Sequence, residues 1–295
     1  MLIHQFSVDS PALKEISYNH LTELIVQSVQ LTGTPVVLSR FIFGTASLFN
    51  SGSEKARRQL LFSAVDAGFT HFDTAPYYGF GLAERDLGHV LKARPEVTVT
   101  TKVGIYSPGG EEQSGAAVFV RKSTGRFIKA ISRPTVDFSV DRAKRTLEGS
   151  LRRLKRDSID IYALHEPELS LLNTDEWLKW LERLLRDGTV RTFGLALTTD
   201  KVKPFLAAGS ELTRFIQVHD SLTGREADVL TCYRKPFQIT YGYVSASRKE
   251  GSPLSVTEVL RRALFRNANG AIIVSTKQLA RLQQYARLVE ETTDA

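Results

Sequence analysis

The chain has 295 residues, 42% of them apolar or aromatic, a formal net charge of +7 and one cysteine. That length allows one large domain or two ordinary ones with a sizeable core, and a lone cysteine excludes an intramolecular disulfide and points to a reducing compartment. No apolar run approaches the roughly 18 residues that cross a bilayer, and no leader pattern opens the chain, so a cytoplasmic location away from membranes is expected.

Residues 1–34 read as an N-terminal extension, with a helix over 20–31, packing outside a main domain at 35–295. From there β-rich runs near 36–44, 70–74, 97–103, 158–165, 191–197, 215–218, 238–244 and 271–275 alternate with helical patterns. Ser53 caps a helix that carries Leu60, Leu61, Ala64 and Val65 on one face and stops at Gly68. A shorter helix covers 82–91. After Ser139, the residues Val140, Ala143, Leu147, Leu151 and Leu154 recur at helical spacing. The segment 175–186 carries Trp177, Leu178, Leu181, Leu184 and Leu185, and Gly188 ends it. Further helices are predicted over 201–208, 225–232, 255–266 and 278–291. Strand–helix alternation implies an α/β protein with a parallel sheet covered by helices. Eight repeats favour a closed (β/α)8 TIM barrel, and no G-x-G-x-x-G follows a predicted strand as an open dinucleotide-binding sheet would require.

The long connection 104–138 exceeds a plain connector and is read as a mobile lid over the barrel mouth. It carries Gly109-Gly110 and the basic residues Arg121, Lys122, Arg126, Lys129 and Arg133, suited to meeting an anion. The dense basic stretches 142–145 and 152–156 fall in one helical pattern and read as its solvated face. No RNA-binding aromatic motif accompanies them, so no nucleic-acid partner is expected. Cys232 reads as a packed small hydrophobe.

Chemistry gathers where three predicted strands end. Asp73, Lys102 and His165 close the second, third and fourth, and Tyr78 lies five residues beyond Asp73. In a barrel these ends share one face. A charged lysine beside a phenol lowers its pKa and a carboxylate holds the lysine, which tunes a tyrosine to exchange a proton with a carbonyl or alcohol. No metal site is read.

These residues lie in motifs that resemble the aldo-keto reductase superfamily over about 38–290. Phe72-Asp73-Thr74-Ala75, Tyr78-Gly79 and Glu84 match F-D-T-A-x-x-Y-G…E. Ser150-Leu151-Arg152-Arg153-Leu154, Asp157-Ser158-Ile159-Asp160 and His165 match S-L-x-R-L…D-x-I-D…H, and the run Gly188 to Gly194 matches the approach to the fifth strand. The pattern is closest to the galactose/fucose dehydrogenase-like branch. The resemblance implies Tyr78 as general acid and base, Lys102 and Asp73 tuning it, His165 orienting the substrate oxygen, and a nicotinamide cofactor carrying hydride.

Family members often hold the carboxamide with Ser-Asn after the fifth strand; here Ala196-Leu197 stand there, with Thr198 or Thr199 as substitutes. Gln217 matches a carboxamide contact, and Tyr241 or Tyr243 would stack on the nicotinamide. Ser275, Thr276, Lys277 and Arg281 correspond to the region that favours NADP, with NAD as the alternative. Thr276 serves equally as a helix N-cap. The expected substrate is a small aldehyde, ketone or sugar lactol. A cofactor-binding partner protein without turnover is the second reading, and a barrel enzyme for anionic substrates the third. The oligomeric state is left open.

Overall fold

The computed structural model describes residues 28–113 and 134–293. Residues 20–27 of the helix predicted over 20–31 and the basic residues Arg121, Lys122, Arg126, Lys129 and Arg133 lie outside the described residues. The first elements form a hairpin, with β1 (Ser28–Gln30) antiparallel to β2 (Val37–Ser39). Residues 28–30 are therefore strand rather than helix, and the boundary drawn at residue 34 falls inside the hairpin. Leu31, Val36 and Leu38 are fully buried against Ile42, Ile161, Ile239 and Ala271 of the barrel interior. The amide of Gln238 donates to the Thr32 carbonyl at 2.8 Å, just before a barrel strand starts. The hairpin thus seals the N-terminal end of the barrel.

The barrel begins with β3 (Phe41–Gly44), β4 (His71–Asp73) and β5 (Thr98–Val103). A small antiparallel pair, β6 (Ile105–Tyr106) and β7 (Thr135–Val136), forms the root of the long connection. The barrel continues with β8 (Ile159–His165), β9 (Val190–Leu197), β10 (Ile216–His219), β11 (Ile239–Tyr241) and β12 (Ala271–Val274). It is closed by β12 pairing parallel with β3. Parallel neighbours need crossovers. These are supplied by α1 (Glu54–Asp66), α2 (Leu82–Ala93), α3 (Val140–Leu154), α4 (Thr174–Arg186), α5 (Thr199–Ala207), α6 (Asp228–Cys232), α7 (Tyr243–Lys249) and α8 (Val256–Arg266), and α9 (Leu279–Thr293) follows the last strand.

Side chains alternate across each strand. Phe43 and Phe72 pack outward in the layer shared with the helices, with ring centroids 5.7 Å apart. Ile42, Ile161, Ala163 and Ala196 pack inward. The same alternation turns Asp73, Lys102 and His165 inward at the C-terminal end. Gly194 in β9 is required by a close approach, because a Cβ there would lie 2.0 Å from the Phe215 carbonyl oxygen.

Four expectations change. The run 36–44 divides at Arg40 into a hairpin strand and a barrel strand. The strand expected over 238–244 ends at Tyr241, and Tyr243 opens α7. Cys232 is exposed at the end of α6 rather than packed. Arg153 is not on a solvated face: its Nε donates to Glu84 Oε2 at 2.8 Å, and Glu84 is fully buried with Oε1 accepting from Thr101 at 2.6 Å. The glutamate and arginine of two separate motifs thus form one buried pair joining α2, α3 and β5.

Candidate active site

Lys102 in β5 and Asp73 at the end of β4 are 1% and 4% exposed. Lys102 Nζ donates to both Asp73 carboxylate oxygens at 2.7 Å and to the Thr74 carbonyl at 3.0 Å. Its contact with the Tyr78 hydroxyl is 3.3 Å. Tyr78 reaches this point because the chain turns sharply after it. Gly79, Phe80 and Gly81 all adopt left-handed φ, at 60°, 58° and 81°. Glycine takes that conformation freely, which gives the Tyr-Gly pair of the motif its physical meaning. His165 ends β8, with its ring edge-on to Tyr78 and centroids 5.9 Å apart. The structure therefore brings all four candidate catalytic residues together.

Burial pushes the Asp73 carboxyl up and the Lys102 ammonium down, while the Lys102 charge and a Gln217 hydrogen bond pull the carboxyl back. Tyr78 departs from expectation. Its phenol is held well above the ordinary value, first by burial and then by the Asp73 and Glu166 charges. Lysine is nearby, but its charge is largely met by Asp73. The resting phenol is thus protonated. Burial and the Lys102 and Lys201 charges push His165 down to about 3, so its imidazole is neutral.

His71, fully buried in β4, is likewise pushed to about 3 by burial and Lys102. It sits between Thr98 and Thr100 hydroxyls at 2.7 and 2.8 Å. Both histidines bind fewer protons folded than unfolded. Stability is therefore full above about pH 6.5 and should fall as the pH drops toward about 3, by on the order of 4 kcal/mol per histidine. Urea midpoints measured from about pH 7 to about pH 4 should decline; a flat midpoint would contradict this account.

The four residues line a cavity of about 540 Å³. Gln217 also lines it. Its Oε1 is buried without a partner, while its side chain hydrogen-bonds Asp73. Tyr241 closes β11 at the cavity wall, edge-on to His219 with centroids 5.6 Å apart. Tyr243 is 1% exposed and donates to Asp220 at 2.6 Å. Ser275 faces the cavity and donates to the Gly44 carbonyl at 2.8 Å. Thr276, Lys277 and Arg281 stand outside the cavity wall. Thr276 Oγ1 accepts from the Gln278 amide at 3.0 Å, an N-cap-like contact, and Lys277 is exposed. Arg281 hydrogen-bonds the phenol of Tyr285, which does line the cavity.

Two charged cavity residues escaped the sequence reading. Arg248 sits on α7, the helix that was taken in part for strand. Glu166 follows His165 and adopts φ 54°, which no motif signals. Its Oε2 accepts from the Thr198 amide and hydroxyl at 3.3 Å each, so Thr198 is engaged there.

A closed barrel of eight parallel strands, with a phenol beside a buried lysine at its mouth, places the chain among (β/α)8 proteins. The model of the Aldo/keto reductase family matches residues 40–204, and the chain belongs to that family. L-galactose dehydrogenase of Arabidopsis thaliana is 28% identical over 222 residues, 72% of this chain and 57% of that protein. D-threo-aldose 1-dehydrogenase of a Pseudomonas species is 31% identical over 157 residues, 50% of this chain and 46% of that protein. The chain thus spans about half the length of these curated relatives. In fold it resembles the holo form of an aldo-keto reductase from Bacillus halodurans, with a TM-score of 0.66 and 21% identity over 90% of this chain and 91% of that one. Among the described residues no helix is long and apolar enough to cross a membrane.

Proposed function

We propose that the chain is an NAD(P)-dependent oxidoreductase that interconverts a carbonyl and an alcohol, with Tyr78 as the proton donor and acceptor. The observation that carries this reading is the Tyr78 hydroxyl in the cavity wall, 3.3 Å from the buried Lys102 ammonium. A bound nicotinamide cofactor supplies or accepts the hydride. The residues fit such a group: the unpartnered Gln217 Oε1 suits a carboxamide NH2, and Arg248 in the cavity wall and Arg281 behind Tyr285 suit its phosphates. Tyr78 gives its proton to the carbonyl oxygen in reduction and takes one back in oxidation. Neutral His165 orients that oxygen by a hydrogen bond. This geometry favours turnover over cofactor binding alone. The sugar-dehydrogenase names of two relatives support an aldehyde, ketone or sugar lactol as substrate. Consumption of NADPH and NADH across a panel of neutral aldehydes, ketones and aldoses tests the reading, which fails if no carbonyl is reduced.

NADPH is expected to bind more tightly than NADH. Arg281 would add a charge-assisted hydrogen bond to the 2′-phosphate, enough for about a tenfold difference. Arg281→Ala should bring the two affinities together in a fluorescence titration. Equal affinities in the wild type would make Arg281 a partner of Tyr285 and nothing more.

A further inference from the structure

Two carboxylates, Asp73 and Glu166, stand in the cavity wall, and their surroundings differ. Asp73 is clamped by Lys102 at 2.7 Å on both oxygens. Glu166 has no such cation. Lys201 Nζ lies 3.7 Å from its Oε2 and gives its hydrogen bond to the Glu166 carbonyl at 3.1 Å. The Thr198 amide and hydroxyl approach the carboxylate at 3.3 Å, long for charge-assisted bonds. The side chain is 24% exposed. Tyr241 adds a third hydrogen bond to it, and a carboxylate has about four acceptor positions, so it keeps one for a ligand. Its left-handed backbone, φ 54°, is uncommon for a residue other than glycine, and such conformations cluster at functional sites. Its field reaches the reacting group, since it raises the pKa of both Tyr78 and Tyr241. A chain of net charge +7 therefore presents an acid beside His165, where the substrate oxygen would sit.

We propose that Glu166 sets the substrate class, accepting hydrogen bonds from the hydroxyls of a neutral polyhydroxylated carbonyl or lactol and turning away carbonyls that bear a carboxylate or phosphate. This rests on the hydride-transfer reading above and goes beyond it in naming the discriminating residue. A site with an acceptor in place favours ligands that donate to it, and a like charge beside a carboxylate is penalised. The bland role for Glu166, a latch for Thr198, would affect charged and neutral substrates equally.

The test compares kcat/KM for D-erythrose, succinic semialdehyde and the methyl ester of succinic semialdehyde. The wild type should prefer the neutral ester to the charged acid by about tenfold or more. Glu166→Gln should shrink that gap severalfold and lower the erythrose value relative to the ester. A wild type indifferent to the charge, or preferring the acid, overturns the proposal, as does a folded Glu166→Gln variant with the gap intact. The wild-type comparison needs no variant, so it decides even if Glu166→Gln does not fold. If the wild type consumes none of the three with NADPH or NADH and reduces no other carbonyl, the hydride-transfer reading fails, and the proposal falls with it.

Discussion

Tyr78→Phe is expected to lower kcat by about 10²–10⁴, the range supplied by a positioned general acid. Burial and two carboxylates keep the Tyr78 phenol protonated at the cavity wall, and it is the phenol in contact with Lys102. Neutral His165, with its pKa near about 3, can orient an oxygen but is a poor source of a proton at neutral pH. Phenylalanine keeps the ring edge-on to His165 and beneath Lys102, whose Nζ is 5.0 Å from the ring centroid. Lys102 also keeps Asp73 and Thr74. The variant should therefore fold, lose about 1 kcal/mol or less, and bind cofactor within about threefold of the wild type. Single-turnover rates and cofactor titration measure both sides. A variant that turns over like the wild type would remove Tyr78 from the chemistry.

Lys102→Met should be the most destabilising replacement at the mouth. Removing one partner of a buried pair leaves the other charge unmet and costs about 3–5 kcal/mol. Asp73, 4% exposed, would keep only the Gln217 contact and would take up a proton. The double replacement Asp73→Asn with Lys102→Met removes both charges and should recover much of that loss, which a urea double-mutant cycle reads directly. The pH dependence gives a second readout. Loss of the positive neighbour disfavours tyrosinate, so the alkaline limb of the residual activity should move to higher pH. Asp73→Asn removes a carboxylate that holds the phenol up and leaves the lysine charge unmet, so it should move that limb the other way, to lower pH. An unmoved limb with retained activity would make Lys102 a structural residue.

The barrel was legible because its strands announce themselves as short β-branched runs between capped helices. Asp73, Lys102 and His165 fall at strand ends, where chain order alone predicts a shared face. What depended on three-dimensional burial was not legible. Arg153 sits in a run of basic residues that reads as solvated, and only the packing of α2 against α3 brings Glu84 to it. The Tyr78 pKa was expected to fall because a lysine is near; Asp73 takes that charge, and burial sends the phenol the other way. Glu166 depends on a backbone angle that residue type does not encode. The helix α7 is seven residues long, too short for a periodic signal.

The hairpin of β1 and β2 turns the barrel into a blind well. With Leu31, Val36 and Leu38 packed into its floor against Ile42, Ile161 and Ile239, apolar side chains fill the barrel below the site. On the proposed mechanism, ligands at the rim would then cut the carbonyl off from hydration and the phenolic proton from exchange with bulk water. A hairpin remote from the chemistry would thereby keep the proton committed to the substrate.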